Sequence, residues 1–103
     1  MSLTIIGLSQ IPASLGLAIK NAYPNLTVVG HDPDTDLSAQ AKKMGAVDRT
    51  HWNLPASCEG SDIVLVAVSF AQLELTLSSI AESLAENTLL VILTPLSQAT
   101  WDA

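Results

Sequence analysis

The chain has 103 residues, of which 49% are hydrophobic and 14% charged, with ten acids against Lys20, Lys42, Lys43 and Arg49 and a net charge of −6. This length suits one domain, and so little charge means that most of the chain is buried. Nucleic acids and anionic membranes are held by basic faces that neutralise phosphates, so neither is an expected partner.

In chain order, Leu3–Ile6 is a short apolar run ending at Gly7 and reads as a buried strand. Ala13–Ala22 carries Ala13, Leu17 and Ala18 near helical spacing, with Leu15 and Ile19, and stops before Pro24; this predicts a helix. Leu26–Gly30 is a second strand, closed by the turn-rich His31-Asp32-Pro33-Asp34. Asp34 or Thr35 caps a second helix running to about Met44, with Gly45 as its stop and Lys42 and Lys43 matching its dipole. Ala46–Asp48 is expected as a short third strand, and His51–Gly60 as an irregular connection containing Pro55. Ile63–Val68 is the strongest strand of the chain. A helix over Phe70–Leu84 puts Leu73, Leu77, Ile80, Ala81 and Leu84 on one face and ends by Asn87. Leu89–Leu93 makes a last strand before Thr94-Pro95.

Alternating strands and helices of this length imply right-handed crossovers and a parallel sheet. The expected architecture is α/β, a Rossmann-type doubly wound parallel sheet of about five strands with helices on both faces, in a single domain over residues 1–103. The only cysteine, Cys58, excludes an intrachain disulfide and a cysteine-rich metal site, and reads as a small, partly buried residue. The start, MSLTIIGLSQ, lacks the charged region of a signal peptide. The apolar runs fall far short of the roughly 20 residues of a membrane-spanning helix. A soluble, cytoplasmic protein is therefore expected.

A strand that ends at glycine and turns straight into a helix is where dinucleotide-binding folds hold the pyrophosphate, on the pattern G-x-G-x-x-G. Here the pattern runs Gly7-Leu8-Ser9-Gln10-Ile11-Pro12, and only the first glycine is kept. Ser9 either crowds the ligand or donates its hydroxyl to it. Pro12 is tolerated early in a helix but removes one N–H donor. The acid that takes the adenosine ribose in such folds has a counterpart in Asp32, which otherwise would only start the turn and cap the next helix. No arginine follows Asp32 and Asp34 adds a second acid, so NAD is favoured over NADP. The expected cofactor-binding residues are Gly7, Leu8, Ser9, Gln10, Ile11 and Pro12 at the pyrophosphate and Asp32 at the ribose. His31 is expected to line the adenosine pocket, and Val68 and Ser69, at the end of the fourth apolar run, to face the other half of the cofactor. Ser14 serves either a phosphate or the first helical turn. His51 and Trp52 form a lid or a surface patch, Trp101 packs on the sheet edge or on a partner, and Asp48 and Glu59 read as solvated loop charges. Neither histidine stands at a metal-ligand spacing, and no nucleophile–histidine–acid arrangement is present.

The run TIIGLSQIPASLGLAIKNAYPNLTVVGHDPD, with AKKMGAVD and SDIVLVAV further on, resembles the N-terminal cofactor domain of prephenate and arogenate dehydrogenases. Gly7, Leu8, Ile11, Ser14, Leu15, Gly30, Asp32, Gly45, Ala46, Asp62 and Ala67 carry the likeness. Ser9, Pro12 and Ala13 depart from it where that family has glycines, Ser69 where it often has proline, and Thr94–Ala99 keeps only Ser97 of its segment after the last strand. The resemblance implies an NAD(P)-binding domain of an oxidoreductase whose catalytic histidine and helical domain lie beyond Ala103. No catalytic residue is assigned here, and catalysis by these residues alone is not expected. The alternative is a Rossmann-like binding, sensing or dimerising module that has lost its cofactor. Because Leu89–Leu93 would leave an apolar sheet edge, a homodimer or association with a separate catalytic domain is expected.

Overall fold

The computed structural model describes residues 1–93, so Thr94–Ala99 and Trp101 lie outside the described residues. Five strands form one parallel sheet: β1 (Ser2–Ile6), β2 (Thr27–His31), β3 (Arg49–Thr50), β4 (Ile63–Val66) and β5 (Leu89–Ile92), in the order β3-β2-β1-β4-β5. Between them run α1 (Gln10–Ala22), α2 (Thr35–Met44), α3 (Leu54–Cys58) and α4 (Phe70–Ile80), the last continued by a 3₁₀ turn over Ala81–Ser83. The expected doubly wound α/β fold is thus present.

Strand side chains alternate between faces, and each face has its own core. Leu3, Ile5, Val28 and Leu65 pack with Ala13 of α1 and Ala41 of α2. Ile6, Val64 and Val66 pack on the other face with Cys58 of α3 and Ile80 of α4. Helix α1 packs closely because Gly16 permits it: a Cβ there would stand 2.8 Å from the carbonyl oxygen of Ala46, in the turn after α2, and 3.0 Å from the Ile5 side chain of β1. The glycine that allows close helix packing thus stands here one turn later than the third glycine of the G-x-G-x-x-G pattern. Thr4, buried in the second core, is satisfied by hydrogen bonds to the Ser57 carbonyl and the Ser61 hydroxyl.

Several boundaries differ from the sequence expectation. Helix α1 begins at Gln10, not Ala13, because Ser9 takes an extended N-cap conformation and Pro12 fits a first turn. Ser14 is accordingly beyond the first turn. His31 is not a turn residue but the buried last residue of β2. The third strand is Arg49–Thr50, because Ala46 and Val47 are drawn into the core and the Ala46 N–H closes α2 on Ala41. The connection expected to be irregular contains α3, capped by the Asn53 side chain on the Ala56 N–H, with Pro55 in its first turn. Asp48 is an exposed loop charge, as expected, but it is also tied down. Its carboxylate accepts from the Val28 N–H at 2.7 Å and pairs with Lys20 at 3.0 Å, while Lys20 also donates to the Leu26 carbonyl.

Among the described residues, nothing buries strand β5 on either side. Leu89 and Val91 face the α1 side, in register with Ile63 and Leu65, and all four residues of β5 are exposed. An apolar groove of about 760 Å³ continues that face between Leu15 and Ile19 of α1 and Leu3, Ile63, Leu65 and Val91 of the sheet. Among the described residues no helix is long and apolar enough to cross a membrane.

Candidate functional site

The carboxyl ends of β1, β2 and β4 meet at one cleft of about 420 Å³. Its geometry starts at Gly7, whose φ of +95° lets the chain leave β1 sharply. Its N–H donates to the His31 carbonyl at 2.8 Å, and a Cβ on it would lie 2.2 Å from the Ala67 carbonyl oxygen. The ends of β2 and β4 thus close on the loop from either side, which only glycine accommodates.

Leu8 follows, its side chain buried beside Gly30 and its N–H donating to Asp32 Oδ2 at 2.8 Å. The other carboxylate oxygen of Asp32 accepts from the Asp34 N–H at 2.8 Å. Asp32 therefore ties the β1–α1 loop to the start of α2, with a further lone pair open on each oxygen. Ser9 then caps α1 by backbone position alone, its hydroxyl making no capping bond. The N–H groups of Gln10 and Ile11 have no acceptor within the helix by position, and Pro12 has no N–H to offer.

Of the residues expected to bind a cofactor, the cleft brings together Gly7, Ser9, His31, Asp32, Val68 and Ser69. Leu8 and Gln10 line instead a separate crevice of about 340 Å³ between α1 and α2, together with Ser14 and Gln40. Ile11 projects outward and Pro12 is buried. Six lining residues are not among those expected at a cofactor: Ile6, Pro33 and Ala67 beside the strand ends, Leu54 on α3, and Gln72 and Thr76 on α4. The pair Gln72 and Thr76 carried a signal, since polar residues one turn apart flank an apolar stripe of Leu73, Leu77 and Ile80. Leu54 carried none while its segment read as irregular.

Ser69 caps α4 as Ser9 caps α1, again with no side-chain bond to its own helix. Two helix N-termini, with free N–H groups and free hydroxyls, thus flank the cleft and suit an anion. Among the described residues the charge lining it is the Asp32 carboxylate; Lys20, Lys42, Lys43 and Arg49 all stand elsewhere. His51 stacks on the exposed Trp52 with ring centres 6.2 Å apart, and its carbonyl oxygen accepts from His31 Nδ1 at 2.8 Å. Burial pushes the Cys58 thiol above its ordinary pKa, with a weaker opposing contribution from Ser57, which suits a packing residue rather than a nucleophile. Among the described residues no group of three His, Cys, Asp or Glu side chains is placed to hold a metal ion.

A glycine turn, a helix N-terminus and an acid at the end of the neighbouring strand form the arrangement that holds a dinucleotide at the switch point of an open sheet. Residues 2–95 match the family described as NADP oxidoreductase, coenzyme F420-dependent. The chain belongs to that family. No curated protein matches the sequence. Among solved structures, a prephenate dehydrogenase from A. aeolicus in complex with hydroxyphenyl propionate and NAD+ is similar over 91% of this chain and 33% of its own, with a TM-score of 0.82 at 12% identity. The Synechocystis arogenate dehydrogenase is similar over 96% of this chain and 34% of its own, with a TM-score of 0.83 at 17% identity. A Plasmodium falciparum pyrroline carboxylate reductase with NADP bound is similar over 91% and 33%, with a TM-score of 0.67 at 19% identity. The chain spans about a third of the length of each. The likeness extends over dehydrogenases and reductases of different substrates, and it fixes the fold. Fold and family together make this a Rossmann domain of the NAD(P)-binding, oxidoreductase-like kind.

Proposed function

We propose that the chain is the cofactor-binding domain of a prephenate dehydrogenase-like oxidoreductase and that it prefers NAD to NADP. One observation carries the preference: Asp32 stands at the cleft with open lone pairs, and none of the four basic side chains reaches it. A ribose with both hydroxyls can donate to that carboxylate. A 2′-phosphate would meet a like charge with nothing to neutralise it.

In this reading Gly7, Ser9 and the free N–H groups of Gln10 and Ile11 hold the pyrophosphate, with Pro12 shaping the turn without donating. Leu8 acts from beneath, its buried side chain and its N–H to Asp32 fixing the loop. Val68 and Ser69 support the half of the ligand over β4, where the α4 N-terminus faces the cleft. A bound nicotinamide ring supplies the hydride chemistry, and these residues supply binding and orientation. The donor and acceptor of the accompanying proton belong to a partner domain or subunit. The open faces of β5 and the apolar groove beside α1 support such a partner, either a catalytic domain or a second copy.

Calorimetric titration with NAD and NADP tests the reading. NAD is expected to bind more tightly, and Asp32→Ala to narrow the ratio between the two. If Asp32 served only to brace the loop, the variant would weaken both equally. Failure of both cofactors to bind would leave a non-catalytic module, the reading that the replacement of glycine by Ser9 and Pro12 favours.

A further inference from the structure

We propose that His31 and Thr76 read the base of the dinucleotide, selecting a purine with an exocyclic amine over one with a carbonyl in its place. The proposal rests on the dinucleotide reading above and adds a discrimination that the fold does not by itself supply. His31 ends β2 and Thr76 lies on α4, and both line the cleft. They are polar, yet only 7% and 8% exposed.

The tautomer of the His31 ring follows from its partner. Its Nδ1 is 2.8 Å from the His51 carbonyl oxygen. A carbonyl oxygen only accepts, so Nδ1 carries the proton, and it is the neutral form of the ring that offers Nε2 as an acceptor. The partner is itself fixed, because the His51 N–H donates to the Gly30 carbonyl and His51 Nδ1 accepts from the Asn53 N–H. His31 therefore presents a lone pair in a set direction.

Neither His31 Nε2 nor Thr76 Oγ1 has a partner among the described residues. Yet none of the described buried side-chain nitrogens or oxygens lacks one. Both atoms are therefore accessible and not sealed in protein, and the cleft is the cavity that both residues line. Ile6, Leu54 and Val68 add apolar surface to the same cleft. An acceptor, a hydroxyl and apolar walls together suit a flat ring whose edge carries an N–H donor beside an acceptor nitrogen.

Phosphate does not fit this surface, since it would turn acceptors toward the Nε2 lone pair. Adenine and the nicotinamide carboxamide both offer an amine beside an acceptor. Asp32, the next residue in the chain, places His31 at the adenosine end. The adenine amine then donates to Nε2, and Thr76 donates its hydroxyl to a ring nitrogen. Hypoxanthine would set a carbonyl oxygen against Nε2 and leave both atoms unpaired, which is the kind of mismatch that gives strong discrimination.

The test is a calorimetric comparison of NAD with nicotinamide hypoxanthine dinucleotide and nicotinic acid adenine dinucleotide. The hypoxanthine analogue is expected to bind roughly tenfold more weakly than NAD, and the nicotinic acid analogue as NAD does. In His31→Phe the two purines become equal, and in Thr76→Val NAD binding falls by roughly threefold or more. Should His31→Phe fail to fold by circular dichroism, the wild-type analogues and Thr76→Val decide the matter. Equal binding of NAD and its hypoxanthine analogue overturns the proposal while leaving NAD binding intact. Rejection of the nicotinic acid analogue instead also overturns it, by putting the contacts at the other end of the ligand. Binding of none of the three overturns the dinucleotide reading itself.

Discussion

The helices of this domain begin in two different ways. Helices α2 and α3 start on Asp34 and Asn53, whose side chains close on their own first turns. Helices α1 and α4 start on Ser9 and Ser69, whose hydroxyls make no such bond although serine is among the best capping residues. The difference follows the chemistry of the place. Ser9 and Ser69 line the cleft, where a free hydroxyl and free N–H groups can serve an anion, whereas Asp34 and Asn53 serve the fold. Self-capping and ligand binding draw on the same donors and acceptors, so one helix start cannot fully do both.

The largest test of this contrast is Gly7→Ala, because the added methyl would collide with the Ala67 carbonyl at a backbone angle alanine resists. A loss of about 3 kcal/mol is expected on denaturant unfolding. A near-neutral result would mean that the two strand ends do not close on the loop. Next come Asp34→Ala and Asn53→Ala, each expected to cost about 1 kcal/mol. Ser9→Ala and Ser69→Ala are expected to change stability by less than about 0.5 kcal/mol while weakening NAD by roughly threefold to tenfold. If Ser9→Ala destabilised as much as Asp34→Ala, its hydroxyl would be a cap in solution and the contrast would fail.

The smallest effect concerns the other end of α1, where Lys20 meets Asp48. Burial alone would raise the Asp48 pKa, but the hydrogen bond from Val28 and the bond and charge of Lys20 outweigh it and hold the carboxyl below its ordinary value. A lowered folded pKa stabilises the protein above the unfolded value of about 3.9 and is lost as pH falls below it. Melting temperatures from pH 6 down to pH 3 should therefore converge for wild type and Asp48→Asn. A gap that stayed constant with pH would remove the carboxylate charge from the explanation.

Much of the site was legible because it follows local rules. Gly7 after an apolar run, Asp32 after the next, and Ser69 after IVLVAV mark the carboxyl ends of three strands, and these do meet at one cleft. The reach of the loop was less legible. The G-x-G-x-x-G pattern suggested six residues over a ligand, yet α1 starts at Gln10, Leu8 turns inward and Ile11 turns outward. Which member of a turn faces a ligand depends on where the helix begins, and Pro12 fits equally well within a first turn or ahead of it. Gly16 was passed over for a similar reason: a helical glycine acquires its meaning from the Ala46 carbonyl, 30 residues along the chain.

The sequence by itself determined the alternation of strands and helices, the parallel sheet and the strand end at which an acid would stand. Hydrophobic period, glycine stops and caps are properties of neighbouring residues, so no tertiary information is needed to read them. Only the tertiary structure decided which side chains share the cleft. His31 became a buried strand residue whose Nδ1 donates to the His51 carbonyl, Asp48 a partner of Lys20, and Thr76 a polar group without a partner among the described residues. Each of these depends on a contact between segments distant in the chain, and burial, hydrogen-bond direction and charge pairing take their values only when those segments meet.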